Sequence, residues 1–316
     1  MPSTAFVFFL LSLSSFSVAL DQPRNHPPNP FSRRGNSRNV PPQGFYDPRA
    51  QGGSFLTQVN NTFPVGLVLG EPINAIILGS SDDAVLVDQQ QDGGLRNYFL
   101  SFGFAGECLG QHSGSDQAAN LGDGHGYLNE SAVIRWDYGN PTLGTCQETI
   151  EGGNHFRYWV QNGNEANSGA IFMAVSYELP DSLQHDIIYN GYNLARDWLI
   201  GNATAQSQII PTANVTNQTT YSGQTSFNGY VYQTSVQYVS GLLPNGSDGI
   251  NHFGSVGANG TNAVDGLSAL MTVKILQQPA KTKSSASPSR LPSHWTSSPL
   301  TFALGALALL LGSSLL

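Results

Sequence analysis

The sequence predicts a mainly β protein, an antiparallel β-sandwich or jelly-roll-like single domain with one short helix. Three observations carry this. Short apolar and β-branched runs recur along the chain, separated by clusters of Gly, Asn, Ser and Asp. Some of these runs alternate: Ile134, Trp136 and Tyr138 fall on one face of an extended segment, Arg135 and Asp137 on the other. Charged residues make up only 11% of the 316 residues, while glycines number 35. That composition argues against a coiled coil or a helical bundle, both of which are rich in charge and poor in glycine.

Taken in order, residues 73–78 and 84–87 read as strands split by the turn cluster 79–83. Further strands are expected at 96–104, 131–138, 155–160, 170–177, 230–239 and 267–276. The helix is expected at 194–200, with Asn193 as its N-cap and Gly201 ending it.

The two ends read as addresses. Residues 1–19 have the apolar stretch and the Ser17-Val18-Ala19 small-residue site of a secretory signal peptide. Residues 300–316 are apolar and no basic residue follows them. With the small residues near Ser284 and Ser285 and a polar spacer, they form the pattern of a GPI-attachment signal. Ser284 or Ser285 is the expected attachment site; a tail-anchored helix is the alternative. Residues 20–53 read as a Pro/Arg-rich disordered arm and 278–299 as a Ser/Pro-rich stalk. Between them, 54–277 is one acidic domain with five bases, Arg96, Arg135, Arg157, Arg196 and Lys274, against 19 acids.

Seven Asn-x-Ser/Thr sequons, at Asn60, Asn129, Asn202, Asn214, Asn217, Asn245 and Asn259, agree with a secretory route. The two cysteines, Cys108 and Cys146, are expected to pair in an oxidising compartment. The formal net charge of −8 argues against nucleic acid as a partner.

Candidate functional residues are of three kinds. The pentad Gly152-Gly153-Asn154-His155-Phe156 recurs as Gly249-Ile250-Asn251-His252-Phe253. A duplicated strand–loop–strand unit would bring His155 and His252 together, and two imidazoles with a carboxylate suit a metal or acid–base chemistry. The competing reading is that each Asn-His pair caps a turn. Second, His155, Arg157 and Trp159 alternate with apolar Phe156, Tyr158 and Val160. On an open strand, an indole, a guanidinium and an imidazole suit sugar recognition. Third, Asp82, Asp83, Asp88, Asp92, Asp116, Asp123 and Glu130 lie in acidic loops that suit Ca²⁺, although no EF-hand spacing is present. Glu107, Asp137, Glu148 and Glu151 lie near the cysteines and are candidate carboxylates for glycoside hydrolysis.

The stretches Gly152-Gly153-Asn154-His155-Phe156-Arg157-Tyr158-Trp159 and Asn190-Gly191-Tyr192-Asn193-Leu194-Ala195-Arg196-Asp197 resemble segments of a group of secreted, GPI-anchored fungal cell-surface proteins. The resemblance implies a fungal cell surface and brings no catalytic residue with it. The expectation is therefore a GPI-anchored extracellular surface or cell-wall glycoprotein, structural or carbohydrate-binding, with no cofactor predicted. Its partners would be wall polysaccharide or surface glycan, and the membrane through a lipid anchor. A secreted wall-polysaccharide hydrolase or metal-dependent enzyme using His155, His252 and nearby carboxylates is one alternative. A Ca²⁺-dependent adhesin is another, and a Ca²⁺ or transition-metal cofactor belongs to these alternatives.

Overall fold

The computed structural model describes residues 37–59, 68–112, 114–206 and 210–280. In chain order its strands are β1 (Gln58–Val59), β2 (Ile73–Ile77), β3 (Phe104–Gly106), β4 (Gln117–Asn120), β5 (Tyr127–Asn129), β6 (Ala132–Trp136), β7 (Gly153–Asn162), β8 (Asn167–Glu178), β9 (Thr220–Phe227), β10 (Tyr230–Gly246) and β11 (Val264–Gln277). The α-helices are α1 (Leu95–Leu100), α2 (Gly144–Glu151), α3 (Gly191–Ala203) and α4 (Phe253–Val256). A curled eight-stranded sheet runs β3-β6-β7-β8-β2-β11-β10-β9, and a small sheet runs β1-β4-β5. The strand pairs are antiparallel except β2 with β11, which is parallel. The chain is thus mainly β with two sheets, mostly antiparallel, as its alternation and turn clusters predict.

The central strands are buried on both faces, which is why β8 reads as an almost unbroken apolar run. On one face Phe156, Tyr158, Ile171, Met173 and Val175 pack with Leu95, Tyr98 and Phe99 of α1 and Leu199 and Ile200 of α3. On the other, Trp159, Phe172 and Ala174 pack with Phe45, Phe55, Leu121 and Val256. Strand β2 serves both cores, giving Ala75 and Ile77 to the first and Ile73 and Ile76 to the second, and its pairing with β8 shifts register between Ile73 and Ala75. The Asn74 carboxamide secures that irregularity: it accepts from Val175 N at 3.1 Å and donates to the carbonyls of Val175 and Tyr192, both at 3.0 Å.

Several local expectations change. Residues 96–104 begin as helix α1, because Leu95, Tyr98 and Phe99 bury one side at helical spacing within an aromatic run. Residues 84–87 form turns around the buried Val85. The main helix is longer than expected. It starts after Asn190, which is in the left-handed region at φ 56°, and Asn193 lies inside it. Helix α2 was not expected either. It starts at Gly144, where an added Cβ would lie 1.5 Å from the Asp137 carbonyl oxygen, so only glycine fits.

Within the arm expected over 20–53, the described residues 37–53 pack onto the domain. Phe45 is buried in the second core, and Tyr46 exchanges two 2.9 Å hydrogen bonds with the Gln161 side chain. A proline-rich segment can pack when it carries an aromatic anchor, and here Phe45 supplies it. Residues 1–36, Asn60, Ser284, Ser285 and the apolar tail lie outside the described residues. Among the described residues no helix is long and apolar enough to cross a membrane.

Candidate functional site

The site is built on a row of polar side chains across three strands. Arg135 of β6 pairs in register with His155 of β7, and His155 with Ser176 of β8. Glu178 lies two residues beyond Ser176, on the same face of β8. Helix α2 brings Glu148 over this row. The Cys108–Cys146 disulfide ties α2 to the segment after β3, next to Glu107. The predicted pairing is therefore present, and it holds two of the cluster's carboxylates in place. In a Cys108→Ala/Cys146→Ala variant, loss of the 38-residue closure should lower stability by about 4 kcal/mol in the chain-entropy account. Denaturant unfolding reads this. A cost under about 1 kcal/mol would show that the surrounding packing alone secures α2.

Arg135 Nη1 donates to Glu148 Oε2 at 2.8 Å and lies 3.6 Å from Glu178 Oε2. Its Nη2 lies 3.7 Å from Glu107 Oε1. The imidazole of His155 faces the other carboxylate oxygens. Nδ1 is 3.8 Å from Glu148 Oε1, and Nε2 is 3.5 Å from Glu178 Oε1 and 3.2 Å from Ser176 Oγ. Each glutamate thus bridges the guanidinium and the imidazole. His155 is 1% exposed and Glu148 is fully buried. Glu178 and His185 lead outward: His185 Nδ1 is 3.5 Å from Glu178 Oε2, and its Nε2 is 3.2 Å from the exposed Asp181. Toward the other side, His112 joins the network through Glu107 Oε2 at 2.9 Å.

Burial pushes the Glu148 carboxyl up to about 7, against the opposing pull of Arg135. Burial likewise raises Glu178. Burial, with Arg135 and Arg157 adding to it, holds His155 well below its usual value. An acid and a base whose affinities are driven toward one another can share a proton or hold a divalent ion. A polymer chain cannot reach Glu148 or His155 in this closed arrangement, since both are sealed from solvent.

His155, Arg157 and Trp159 do share one face of β7, as their alternation predicts. That face is covered rather than open. Arg157 is 6% and Trp159 3% exposed, Arg157 pairs with Glu130, and the Trp159 indole donates to the Leu128 carbonyl at 2.9 Å. An indole packed in this way offers no face to a sugar ring, so the expected open binding strand is corrected to an internal one.

His252 does not join His155. It sits in a turn at φ 55°, immediately before α4, with Nδ1 2.6 Å from Asp186 Oδ1. The first pentad opens a strand and the second a helical turn, so the repeated residues are not a repeated structure. Of the carboxylates named from sequence, Glu107 and Glu148 enter the cluster. Asp137 instead accepts from Gly139 N at 2.8 Å, and Glu151 accepts from Gln147 at 2.9 Å. The acidic loops are also engaged locally. Asp82 pairs with Lys274, Asp83 with Arg38 and Asp88 with Arg96, while Asp123 accepts from the backbone of Asn162 and Gly163.

Sequence reasoning missed Arg135, Glu178 and His185 as members of the network. The available signal was the polar face of β6 and the acid closing the apolar run of β8. No protein-family model matches the sequence, and neither a curated protein nor a solved structure shows significant similarity to it.

Proposed function

We propose that the chain is an extracellular, N-glycosylated surface or cell-wall protein, anchored through GPI at Ser284 or Ser285, with a structural or carbohydrate-binding role. One observation carries the reading: sequon asparagines project outward from a disulfide-closed domain. Asn129, Asn214, Asn217, Asn245 and Asn259 are exposed. Asn202 is half-buried in α3, where its amide donates to the Trp198 carbonyl at 2.8 Å. With the Trp159 face covered, a surface that suits a neutral glycan is a cleft of about 800 Å³ beside β9 and β10. Gln43, Tyr221, Ser235, Gln237 and Thr272 line it with hydroxyl and amide groups.

Glycopeptide mapping of the protein from its own cells tests the carrying observation. Occupancy is expected at the five exposed sequons and little at Asn202. Release from the cell surface by a phosphatidylinositol-specific phospholipase tests the anchor. An unglycosylated protein with free thiols, retained inside the cell, overturns the proposal. Retention on insoluble glucan or chitin, weakened by Gln237→Ala, would support the binding role; no retention on either would leave the structural one.

A second reading, a wall-polysaccharide hydrolase, draws on the Glu148 carboxyl being raised to about 7 beside Glu178 and His155. It predicts released reducing sugar that is lost in Glu148→Gln. Its cost is that Glu148 has no exposed surface in this arrangement.

A further inference from the structure

We propose that Glu148, His155 and Glu178 form a binding site for one divalent transition-metal ion. The inference is independent of where the protein resides. One oxygen from each carboxylate and one imidazole nitrogen lie within 4.8 Å of one another. One imidazole with two carboxylates is a donor set found around zinc, manganese and iron.

Two further observations point to a ligand. Glu148 Oε1 and His155 Nδ1 are buried and have no hydrogen-bond partner, although both side chains are within 1% of complete burial. Buried polar atoms are normally satisfied, so a facing pair of orphans calls for something between them. Their 3.8 Å separation is one that an ion about 2 Å from each atom can span.

The second observation is the grouping of acids. Glu107, Glu148 and Glu178 surround the single guanidinium of Arg135 within a largely buried cluster. Buried acidic groups in excess of their cationic partners are costly unless paired, and a divalent cation supplies the pairing. Arg157 does not supply it, because Glu130 pairs with it.

The surrounding groups are arranged as a metal's supporting shell would be. Arg135 lies against Oε2 of both glutamates and leaves each Oε1 toward the imidazole. Ser176 Oγ, 3.2 Å from Nε2, orients the imidazole ring between the two carboxylates. Glu178 and His185, at 15% and 29% side-chain exposure, give an ion a path from solvent.

The test uses the mature glycoprotein, stripped with chelator and then titrated calorimetrically with Zn²⁺ or Mn²⁺ alone. One ion per chain and a raised melting temperature are expected. Glu148→Gln and His155→Gln should each weaken binding at least about tenfold, by analogy with the loss seen when even supporting groups are removed. His252→Gln should leave it unchanged. A wild-type protein that binds neither ion with one-to-one stoichiometry overturns the proposal without recourse to any variant. So does binding that survives Glu148→Gln and His155→Gln but is lost in His112→Gln. That result would place the ion at the exposed group His112, Asp116 and Glu130.

Discussion

Replacing Arg196 with methionine is expected to destabilise the domain by about 3–5 kcal/mol, the cost of breaking a buried ion pair from one side. Arg196 is fully buried in α3. Its Nε and Nη2 donate to Asp197 at 2.8 and 3.1 Å. Its Nη1 and Nη2 donate to Asp265 at 2.8 Å each, and Nη1 also donates to the Leu267 carbonyl at 2.7 Å. All five guanidinium donors are therefore used. The guanidinium also lies 5.2 Å from the centroid of Tyr238, whose hydroxyl donates to Asp197 at 2.8 Å. This network fastens α3 to β10 and β11. In Arg196→Met the methionine fills much of the volume, but Asp197 remains buried without its cation. Adding Asp197→Asn should recover part of the loss, because the stranded charge is then removed. Urea unfolding of the three proteins measures both effects. A single variant within about 1 kcal/mol of wild type would mean that the network is not what fastens the helix.

Above pH 10 the protein is expected to unfold steeply. Burial raises the phenols of Tyr98, Tyr158, Tyr192, Tyr232 and Tyr238, Tyr232 to about 12 and the others further. The Asp197 carboxylate adds to the effect at Tyr238. An acid whose folded pKa lies above its unfolded value holds more protons in the folded state. Its stabilising contribution is intact below the unfolded value near 10 and is lost as pH rises toward the folded value. Each such tyrosine costs up to about 1.4 kcal/mol per pH unit in that range. Together the five amount to roughly 5 kcal/mol by pH 11, comparable to the whole stability of many domains. Tyrosinate absorbance and circular dichroism should therefore change together, in one cooperative step. Absorbance from all twelve tyrosines rising near pH 10 with the fold intact would sink the prediction. Tyr98→Phe should move the midpoint to higher pH if its packing is kept, since one ionisable phenol is removed.

How much of this was legible depended on whether neighbours in sequence were also neighbours in space. Strands β6, β7, β8, β10 and β11 were readable because period-two or continuous apolar patterning is a local property. Residues 96–104 read as a strand because aromatic residues favour strands intrinsically. Here a helical stripe is buried instead, Phe99 against Phe156 and Tyr158 and Tyr98 against Tyr232. The first helical turn of α3 was missed because Asn193 resembles a cap. Its side chain is instead held by Asn190 at 2.6 Å and accepts from Asp265 N at 3.2 Å, a residue far along the chain.

At the site, His155 was legible as a polar residue alternating with core, and Glu107 and Glu148 as acids near the cysteines. That His155 faces Glu148 and Glu178, and not His252, was not legible. Cross-strand register places Arg135, His155 and Ser176 in one row, and register is set by pairing between distant segments. Nor did alternation reveal that the Trp159 face is covered, because period two separates the faces of a strand without saying what lies over each.

By itself, the sequence determined the β-rich class, the antiparallel strand patterning, the cysteine pair and the apolar positions of the core. These follow from side-chain chemistry acting over a few residues, or from there being only two cysteines to join. Only the tertiary structure decided which polar residues became internal, which carboxylates converged and where solvent could enter. Burial and charge balance arise when segments such as β6, β8 and α2 are brought together, and no local pattern encodes the distance between them.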